Sequence, residues 1–139
     1  MNTNKTTAEI KDLKVKLSTL WVLVMCNMLA ADILSFMYPG SLKEIMTGYG
    51  GEIQITPGFL LVAAIMMEIP IAMIFLSRVL KYSVNRWANI IAGVITITFV
   101  IGGGATTPHY IFLATMEVVC ILLIIWFAWK WTNPEEKPQ

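Results

Sequence analysis

The chain has 139 residues, of which 57% are hydrophobic and only 14% are charged, and its formal net charge is +1. Soluble domains average about 45–50% apolar and about 25% charged residues, so this composition predicts a membrane protein. The near-neutral charge leaves no basic surface for nucleic acid, and nucleic-acid binding is excluded as a predicted function.

Long apolar segments follow one another along the chain, and each holds about 18 or more residues, enough to cross roughly 30 Å of hydrocarbon. The predicted spans are 17–38, 56–80, 84–101 and 108–131. A polar segment, 1–16, precedes them and a polar tail, 132–139, follows them. We therefore predict the all-α class, with a single four-helix transmembrane bundle over residues 17–131.

The connections between the spans carry helix-start signals. Ser41 and Glu44 have the spacing of a capping box, which predicts a short helix over 41–47 between the first two spans. Thr56 and Thr107 each precede a proline, and a threonine N-cap followed by proline is typical of a helix start. These signals predict that the second and fourth spans begin in the same way.

Positive charges set the expected orientation. Lysine and arginine concentrate on the cytoplasmic side of membrane proteins. With four spans, Lys43 is alone on one side and the other nine basic residues share the opposite side. We predict that both termini are cytoplasmic and that the short helix is extracytoplasmic. The nine residues are Lys5, Lys11, Lys14, Lys16, Arg78, Lys81, Arg86, Lys130 and Lys137.

Acidic residues inside the spans are the main functional signal. Asp32, Glu68 and Glu117 all lie within apolar segments, and no lysine or arginine lies at their depth. At about 1.5 Å per residue, Glu68 lies roughly 16 Å below Pro57 and Glu117 a similar distance below Pro108. An ionisable residue in hydrocarbon is a functional-site candidate by default. We predict a shared pocket open to the outside, with at least one carboxyl group protonated at neutral pH.

Other polar side chains are predicted to line the same pocket. Tyr110 shares a helix face with Glu117, seven residues later. His109 lies at the outer mouth, where it is either an exposed turn residue or a group that contacts a ligand or takes up protons. Besides the acids, the predicted lining residues are Asn27, Asn89, Thr96, His109 and Tyr110.

Structural explanations remain open for the same residues. Intramembrane acids can hydrogen-bond neighbouring helices and simply fix their packing.

Cys26 and Cys120 form no C-x-x-C pair, and the sequence has no zinc spacing, phosphate loop or dinucleotide fingerprint. Haem would need an axial ligand pair at depth, and the single histidine lies at the edge. The sequence predicts neither a metal site nor a cofactor.

Several short motifs resemble the DoxX-like superfamily of small four-helix membrane proteins. They are the turn Gly40-Ser41-Leu42-Lys43, Glu68 within the second span, Arg78 at its end and His109 near the last turn. The chain also resembles an uncharacterised prokaryotic membrane family over about residues 14–131. The resemblance implies a four-helix bundle in the cytoplasmic (inner) membrane. Some DoxX-like relatives are subunits of thiosulfate–quinone oxidoreductases, and Asp32 and Glu117 are not part of the superfamily pattern.

Three functional hypotheses follow. The first is an outward-facing acidic intramembrane pocket that binds a small ligand, cation or proton, with transport as an extension. The second is an enzyme or redox subunit acting on a lipophilic substrate such as a quinone, with Glu68 or Glu117 transferring protons. The third is an accessory structural subunit without a small ligand. In each case the lipid bilayer is the expected environment. A homodimer that buries the stripe Ala64, Glu68 and Ala72 of the second span remains an open alternative.

Overall fold

The computed structural model describes residues 2–103 and 106–132, with side chains from residue 7 onward. The predicted tail, 132–139, lies outside the described residues except for Thr132. The described elements are five helices and one two-stranded sheet. In chain order they are α1 (Asn2–Met37), α2 (Ser41–Ile45), β1 (Tyr49–Gly50), β2 (Ile53–Gln54), α3 (Pro57–Val79), α4 (Tyr82–Gly102) and α5 (Pro108–Lys130).

Four of the helices, α1, α3, α4 and α5, are long and apolar enough to cross a membrane. Large hydrophobic side chains point outward from the bundle, including Phe75, Ile101 and Phe112, each about two-thirds exposed. This outer surface suits hydrocarbon rather than water, because exposed apolar patches of this extent are rare on soluble monomers. The chain is thus a multi-pass membrane protein, as its composition predicts.

Helix α1 is longer than the predicted first span. It begins at Asn2, so the polar segment continues the membrane helix instead of forming a separate element. The sequence contains no glycine or proline before Pro39 to interrupt it. An exposed ion pair between Lys16 and Asp12, 3.1 Å apart and one helical turn from each other, supports this extension weakly.

The four long helices form a square bundle in which each helix packs against two neighbours. Helix α1 packs against α3 and α5, and α4 packs against the same two helices, so α1 and α4 face each other across the diagonal. Leu17 and Trp21 of α1 and Ile121 and Ile124 of α5 are fully buried in the core. A Cβ atom at Gly93 would lie only 2.9 Å from Ile125, so glycine permits the close approach of α4 to α5.

The two ends of the bundle are different. At one end, which we call the turn end, α3 and α4 are joined directly, and the Tyr82 hydroxyl donates a 2.6 Å hydrogen bond to the Trp131 carbonyl. At the other, the hairpin end, α2 and the antiparallel pair β1–β2 connect α1 to α3. Gly48 and Gly51 adopt φ values of 86° and 64° there, a region that glycine enters without strain.

The capping box predicted for α2 is wrong. The helix follows Gly40, has no side-chain cap and ends at Ile45 rather than residue 47. The carboxylate of Glu44 instead accepts a 2.8 Å hydrogen bond from the backbone N–H of Gly51. Glu44 therefore holds the turn between β1 and β2 against α2 instead of capping the helix.

The two threonine–proline helix starts also differ. The Thr56 hydroxyl accepts a 3.1 Å hydrogen bond from the Phe59 N–H and caps α3 as predicted. Thr107 makes no such bond to α5, and its hydroxyl lies 3.3 Å from Nε2 of His109. A histidine two residues after the threonine offers the hydroxyl another partner, which the repeated dipeptide does not reveal.

Candidate functional site

A cavity of about 210 Å³ lies between the four long helices in the half of the bundle nearer the hairpin end. We call it the acid cavity, because two of its lining residues are carboxylic acids on different helices. Every long helix contributes to its wall. The lining residues are Met28, Ala31 and Asp32 of α1, Ala63 and Met67 of α3, Phe99 and Val100 of α4 with Gly103, and Tyr110 and Glu117 of α5.

Glu117 is the most deeply buried acid of the spans. Its side chain is only 3% exposed, and it lines the acid cavity together with Asp32. Within residues 2–103 and 106–132, no group donates a hydrogen bond to its carboxyl oxygens. Buried polar groups are nearly always paired, whereas the Glu117 carboxyl group borders the cavity without a hydrogen-bond partner in the described part of the chain.

Asp32 approaches the same cavity from α1. Its residue is exposed when the chain is considered by itself, so it lies at the cavity rim rather than in the core. No hydrogen-bond donor in the described part of the chain pairs with this carboxyl group either. Asp32 and Glu117 thus line one cavity from the adjacent helices α1 and α5.

Tyr110 forms part of the wall between the two acids and the hairpin end. Its hydroxyl donates a 3.2 Å hydrogen bond to the Val100 carbonyl, which fixes the ring between α4 and α5. A Cβ atom at Gly103 would lie 3.1 Å from the Tyr110 hydroxyl, so glycine leaves the space that the phenol uses. The prediction that Tyr110 and Glu117 share a face agrees with this placement.

Glu68 does not join the other acids. Helix α3 places it on an exposed face of the bundle, and it is not among the residues that line the acid cavity. The prediction of one pocket shared by three acids is wrong in this respect. Equal depth along two helices does not fix which way each side chain points, and α3 directs Ala63 and Met67 toward the cavity instead.

Asn89 is fully occupied by a hydrogen-bond network near the turn end. Its Oδ1 accepts from Trp21 Nε1 at 2.7 Å and from the Ser77 hydroxyl at 3.1 Å. Its Nδ2 donates to the carbonyl and to Oδ1 of Asn85, at 2.9 and 2.7 Å. All hydrogen-bonding positions of this amide are filled, so its predicted role as a ligand contact is replaced by a packing role.

Asn27 and Thr96 also lie outside the acid cavity. The Asn27 amide donates to the Leu23 carbonyl at 3.0 Å, and the Thr96 hydroxyl donates to the Ala92 carbonyl at 2.8 Å. Both bonds run to the preceding turn of the same helix, which is the usual way for such residues to satisfy themselves within a helix. The prediction from their polarity that both residues line the pocket is therefore wrong, because neither belongs to the wall of the acid cavity.

His109 lies at the hairpin end and does not line the acid cavity. Its ring is 6.0 Å from the Tyr38 ring, centroid to centroid, and is tilted by 36°. The contact joins the end of α1 to the start of α5, above the cavity. The ring is half-buried, so it is neither a freely exposed turn residue nor a group in contact with the acids.

Sequence reasoning missed the apolar part of the wall. Phe99, Met67 and Met28 line the cavity although they carry no ionisable group. Met28 lies one helical turn before Asp32, and this spacing places it on the same face. For Phe99 and Met67 the sequence offers no comparable signal, because their placement depends on how α3 and α4 rotate against each other.

The chemistry of the lining is unusual for a metal centre. Two carboxyl groups, two aromatic rings and two thioethers surround the cavity, and no cationic side chain contributes to it. Across the part of the chain that the structure describes, no group of three or more histidine, cysteine, aspartate or glutamate residues could hold a metal ion. The lining combines negative charge with aromatic and apolar surface.

A larger apolar groove adjoins the acid cavity. It has a volume of about 740 Å³ and lies between α3, α4 and the hairpin, and we call it the α3–α4 groove. Its walls include Val62 and Val94, and it shares Ala63, Phe99 and Gly103 with the acid cavity. The two spaces are thus adjacent, with these three residues at their common border.

The chain thus folds as a small bundle of four apolar helices around a cavity that two acids line. Residues 7–137 match the family model described as a family of unknown function (DUF6326), and the chain belongs to this family. Membership of a family of unknown function agrees with the resemblance found in the sequence, whereas the match does not bear on the DoxX-like superfamily. No curated protein and no solved structure matches the chain.

Proposed function

We propose that this protein binds a small organic cation in the acid cavity in exchange for a proton. The observation that carries the proposal is Glu117, which is 3% exposed and has no hydrogen-bond donor among the described residues. A buried, unpaired carboxylate is costly, whereas a protonated carboxyl group or a carboxylate paired with a cation is tolerated. Two states of the site follow, one holding a proton and one holding a cation.

The lining favours an ammonium group over a hard metal ion. Phe99 and Tyr110 supply aromatic rings, and aromatic faces attract quaternary and protonated amines. Calcium and magnesium take about six or more oxygen ligands, which Asp32 and Glu117 cannot provide by themselves. When the ammonium cation binds beside the two carboxyl groups, the proton of the neutral one is released to water.

We further propose that the hairpin end lies outside the cytoplasm. The basic residues support this orientation, because nine belong to the turn end or the terminal segments and Lys43 alone belongs to the hairpin end. The acid cavity would then open outward from the cytoplasmic membrane. Transport would require a second state that opens the same site to the other side.

The DoxX-like relationship stays a prediction, and so does a quinone-linked role. The residues that carry that resemblance, including Lys43, Glu68 and Arg78, lie outside the acid cavity. Asp32 and Glu117 therefore derive their proposed role from their position in the bundle and not from the resemblance. A quinone or a purely structural role would give no response to cations in the experiment below.

Proton release on cation binding tests the proposal. The purified protein in phosphatidylglycerol nanodiscs, in weakly buffered solution with a pH indicator, would be titrated with tetramethylammonium chloride. We expect saturable proton release from the wild-type protein and its loss in Glu117→Gln. Glu68→Gln is the matched control, since it removes an intramembrane acid outside the cavity, and it should release protons as the wild type does. Equal release from Glu117→Gln and the wild type would reject the proposal.

A further inference from the structure

The geometry points to an amphiphilic ammonium compound as the ligand, with its charged group in the acid cavity and its apolar chain in the α3–α4 groove. This inference rests on the proposed function and adds the class of ligand. Its basis is that the cavity and the groove share Ala63, Phe99 and Gly103, so that one molecule can contact both.

The two spaces differ in size and polarity in the way such a molecule requires. The acid cavity, of about 210 Å³, has room for a compact charged group and carries both acids. The groove, of about 740 Å³, has walls that are apolar apart from Thr98 and backbone groups. Ligand pockets for drug-sized molecules typically hold about 300–1,000 Å³, so cavity and groove together suit a molecule of that class.

Charge decides between this ligand and an ordinary lipid chain. A lipid without an ammonium group could fill the groove but would place no cation beside Asp32 and Glu117, which have no cationic partner among the described residues. A molecule with an ammonium group on an apolar chain pairs its charge with the carboxylates and fills the groove with its chain. The position of Phe99 on both walls places an aromatic ring at the junction, where it contacts the charged group and the first carbons of the chain.

A chain-length series tests the inference. Tetramethylammonium and hexyltrimethylammonium would be compared by the concentration that gives half-maximal proton release from the protein in phosphatidylglycerol nanodiscs, whose lipid carries no ammonium group. We expect the hexyl compound to act at a concentration at least about tenfold lower, since each buried methylene contributes roughly 0.8 kcal/mol, or about fourfold.

Groove-filling variants separate the groove from the surrounding lipid. Val94→Trp and Val62→Trp add bulk to opposite walls of the groove, and Leu122→Trp adds it to an exposed position on α5 outside the groove. The three native side chains are 54%, 56% and 53% exposed, so the substitutions are matched in environment. Each variant would first be checked for a monodisperse elution profile.

We expect the groove variants to lose the advantage of the hexyl chain and to keep the response to tetramethylammonium, while Leu122→Trp changes neither. Equal responses to the hexyl compound in all three variants would overturn the inference, because the chain would then lie in the bilayer. Such a result would leave the proposed function intact, since the response to tetramethylammonium and its loss in Glu117→Gln are measured separately.

A second, independent inference concerns the exposed face of α3. Glu68 lies near the middle of this helix, and Leu61, Ile65 and Phe75 on the same face are 62%, 52% and 66% exposed. The most apolar window of α3 is only 11% buried within the chain, against 28% to 33% for the other three long helices. Helix α3 is therefore the helix least covered by its own chain, and it turns an acid toward the hydrocarbon.

We infer that a second copy of the chain covers this face, with α3 packed against α3 about a two-fold axis along the membrane normal. Such an axis places Glu68 opposite Glu68 at the same depth, where a protonated carboxyl group donates a hydrogen bond to its partner. Ala64 and Ala72 lie one turn before and after Glu68, and small residues at this spacing let two helices approach closely. The face is thus complementary to itself in shape and in hydrogen bonding.

Cysteine cross-linking tests this interface in a Cys26→Ser, Cys120→Ala background. Leu61→Cys should form a disulfide-linked dimer on mild oxidation of the isolated cell membranes, and Leu122→Cys on the exposed face of α5 should not. Adding Glu68→Leu should lower the yield of the Leu61→Cys disulfide. Glu68→Gln should preserve this yield, because the amides of the two copies can still hydrogen-bond to each other. Equal yields at the two cysteine positions, or no effect of Glu68→Leu, would overturn the interface.

Discussion

The indole Nε1 of Trp21 donates a 2.7 Å hydrogen bond to Oδ1 of Asn89 across the diagonal of the bundle, between two helices that are not packing neighbours. Asn89 also bonds Ser77 of α3, so one amide links three helices. The network is closed on itself, unlike the two acids of the acid cavity. The bundle thus has a paired polar layer around Asn89 and a separate acidic layer whose carboxyl groups have no hydrogen-bond donor among the described residues.

Removing the central amide should destabilise the protein. Asn89→Ala leaves the buried Trp21 N–H and the Ser77 hydroxyl without their shared acceptor. We expect the free energy of unfolding to fall by about 1–3 kcal/mol. Titration with dodecyl sulfate in mixed micelles measures this change. Thr98→Ala is the control, because the exposed Thr98 hydroxyl bonds only the Val94 carbonyl of its own helix, and an equal loss in both variants would contradict the assignment.

The contact between α4 and α5 should be sensitive to a single methyl group. In Gly93→Ala the new Cβ atom would lie 2.9 Å from Ile125 Cγ1 and 3.1 Å from Ile121 Cγ2. Overpacking of this kind costs about 1–3 kcal/mol, measured as a drop in the free energy of unfolding. Gly102→Ala has no neighbouring atom within 4 Å and should be neutral. Identical stability of the two variants would show that the helices separate freely at Gly93.

The two threonine–proline helix starts should respond differently to alanine. Thr56→Ala removes the acceptor of the Phe59 N–H and should lower the free energy of unfolding by about 0.5–2 kcal/mol. Thr107→Ala removes no capping bond and should cost less. The comparison uses the same unfolding titration for both variants. A larger loss for Thr107→Ala would mean that α5 depends on its threonine in a way the observed contacts do not explain.

Tyr110 should act on the cation through its ring rather than its hydroxyl. Tyr110→Leu should raise the half-maximal concentration of tetramethylammonium for proton release by about fivefold, because a cation–aromatic contact is worth roughly 1 kcal/mol. Tyr110→Phe retains the ring and should stay near the wild-type value. If Tyr110→Phe lost as much as Tyr110→Leu, the hydrogen bond to Val100 and not the ring would be the important feature.

The helices of this protein could be predicted closely from the sequence, because long apolar runs leave few alternatives to a membrane helix. The ends of α3, α4 and α5 lie within about two residues of the predicted spans. The start of α1 could not be predicted from the sequence. Its N-terminal part is polar and resembles a loose segment, although nothing in it breaks a helix.

The site could be predicted only in part. Asp32, Tyr110 and Glu117 line the acid cavity, and the signals that predict them, acids in apolar runs and a seven-residue spacing, are visible in the sequence. Glu68 carries the same signal and points elsewhere, because the rotation of α3 is set by packing against its neighbours and not by its own composition. Asn89 was misassigned for a related reason, since a buried amide looks the same in sequence whether its partners are protein groups or a ligand.

Infrared difference spectroscopy of the protein in phosphatidylglycerol nanodiscs tests the central claim most directly, because it detects the carbonyl band of a protonated carboxyl group. We predict a band that shifts in deuterated water, weakens when tetramethylammonium is added, and loses this response in Glu117→Gln but not in Glu68→Gln. A band that ignores the cation, or a cation response that survives in Glu117→Gln, would contradict the exchange of a proton for a cation at Glu117.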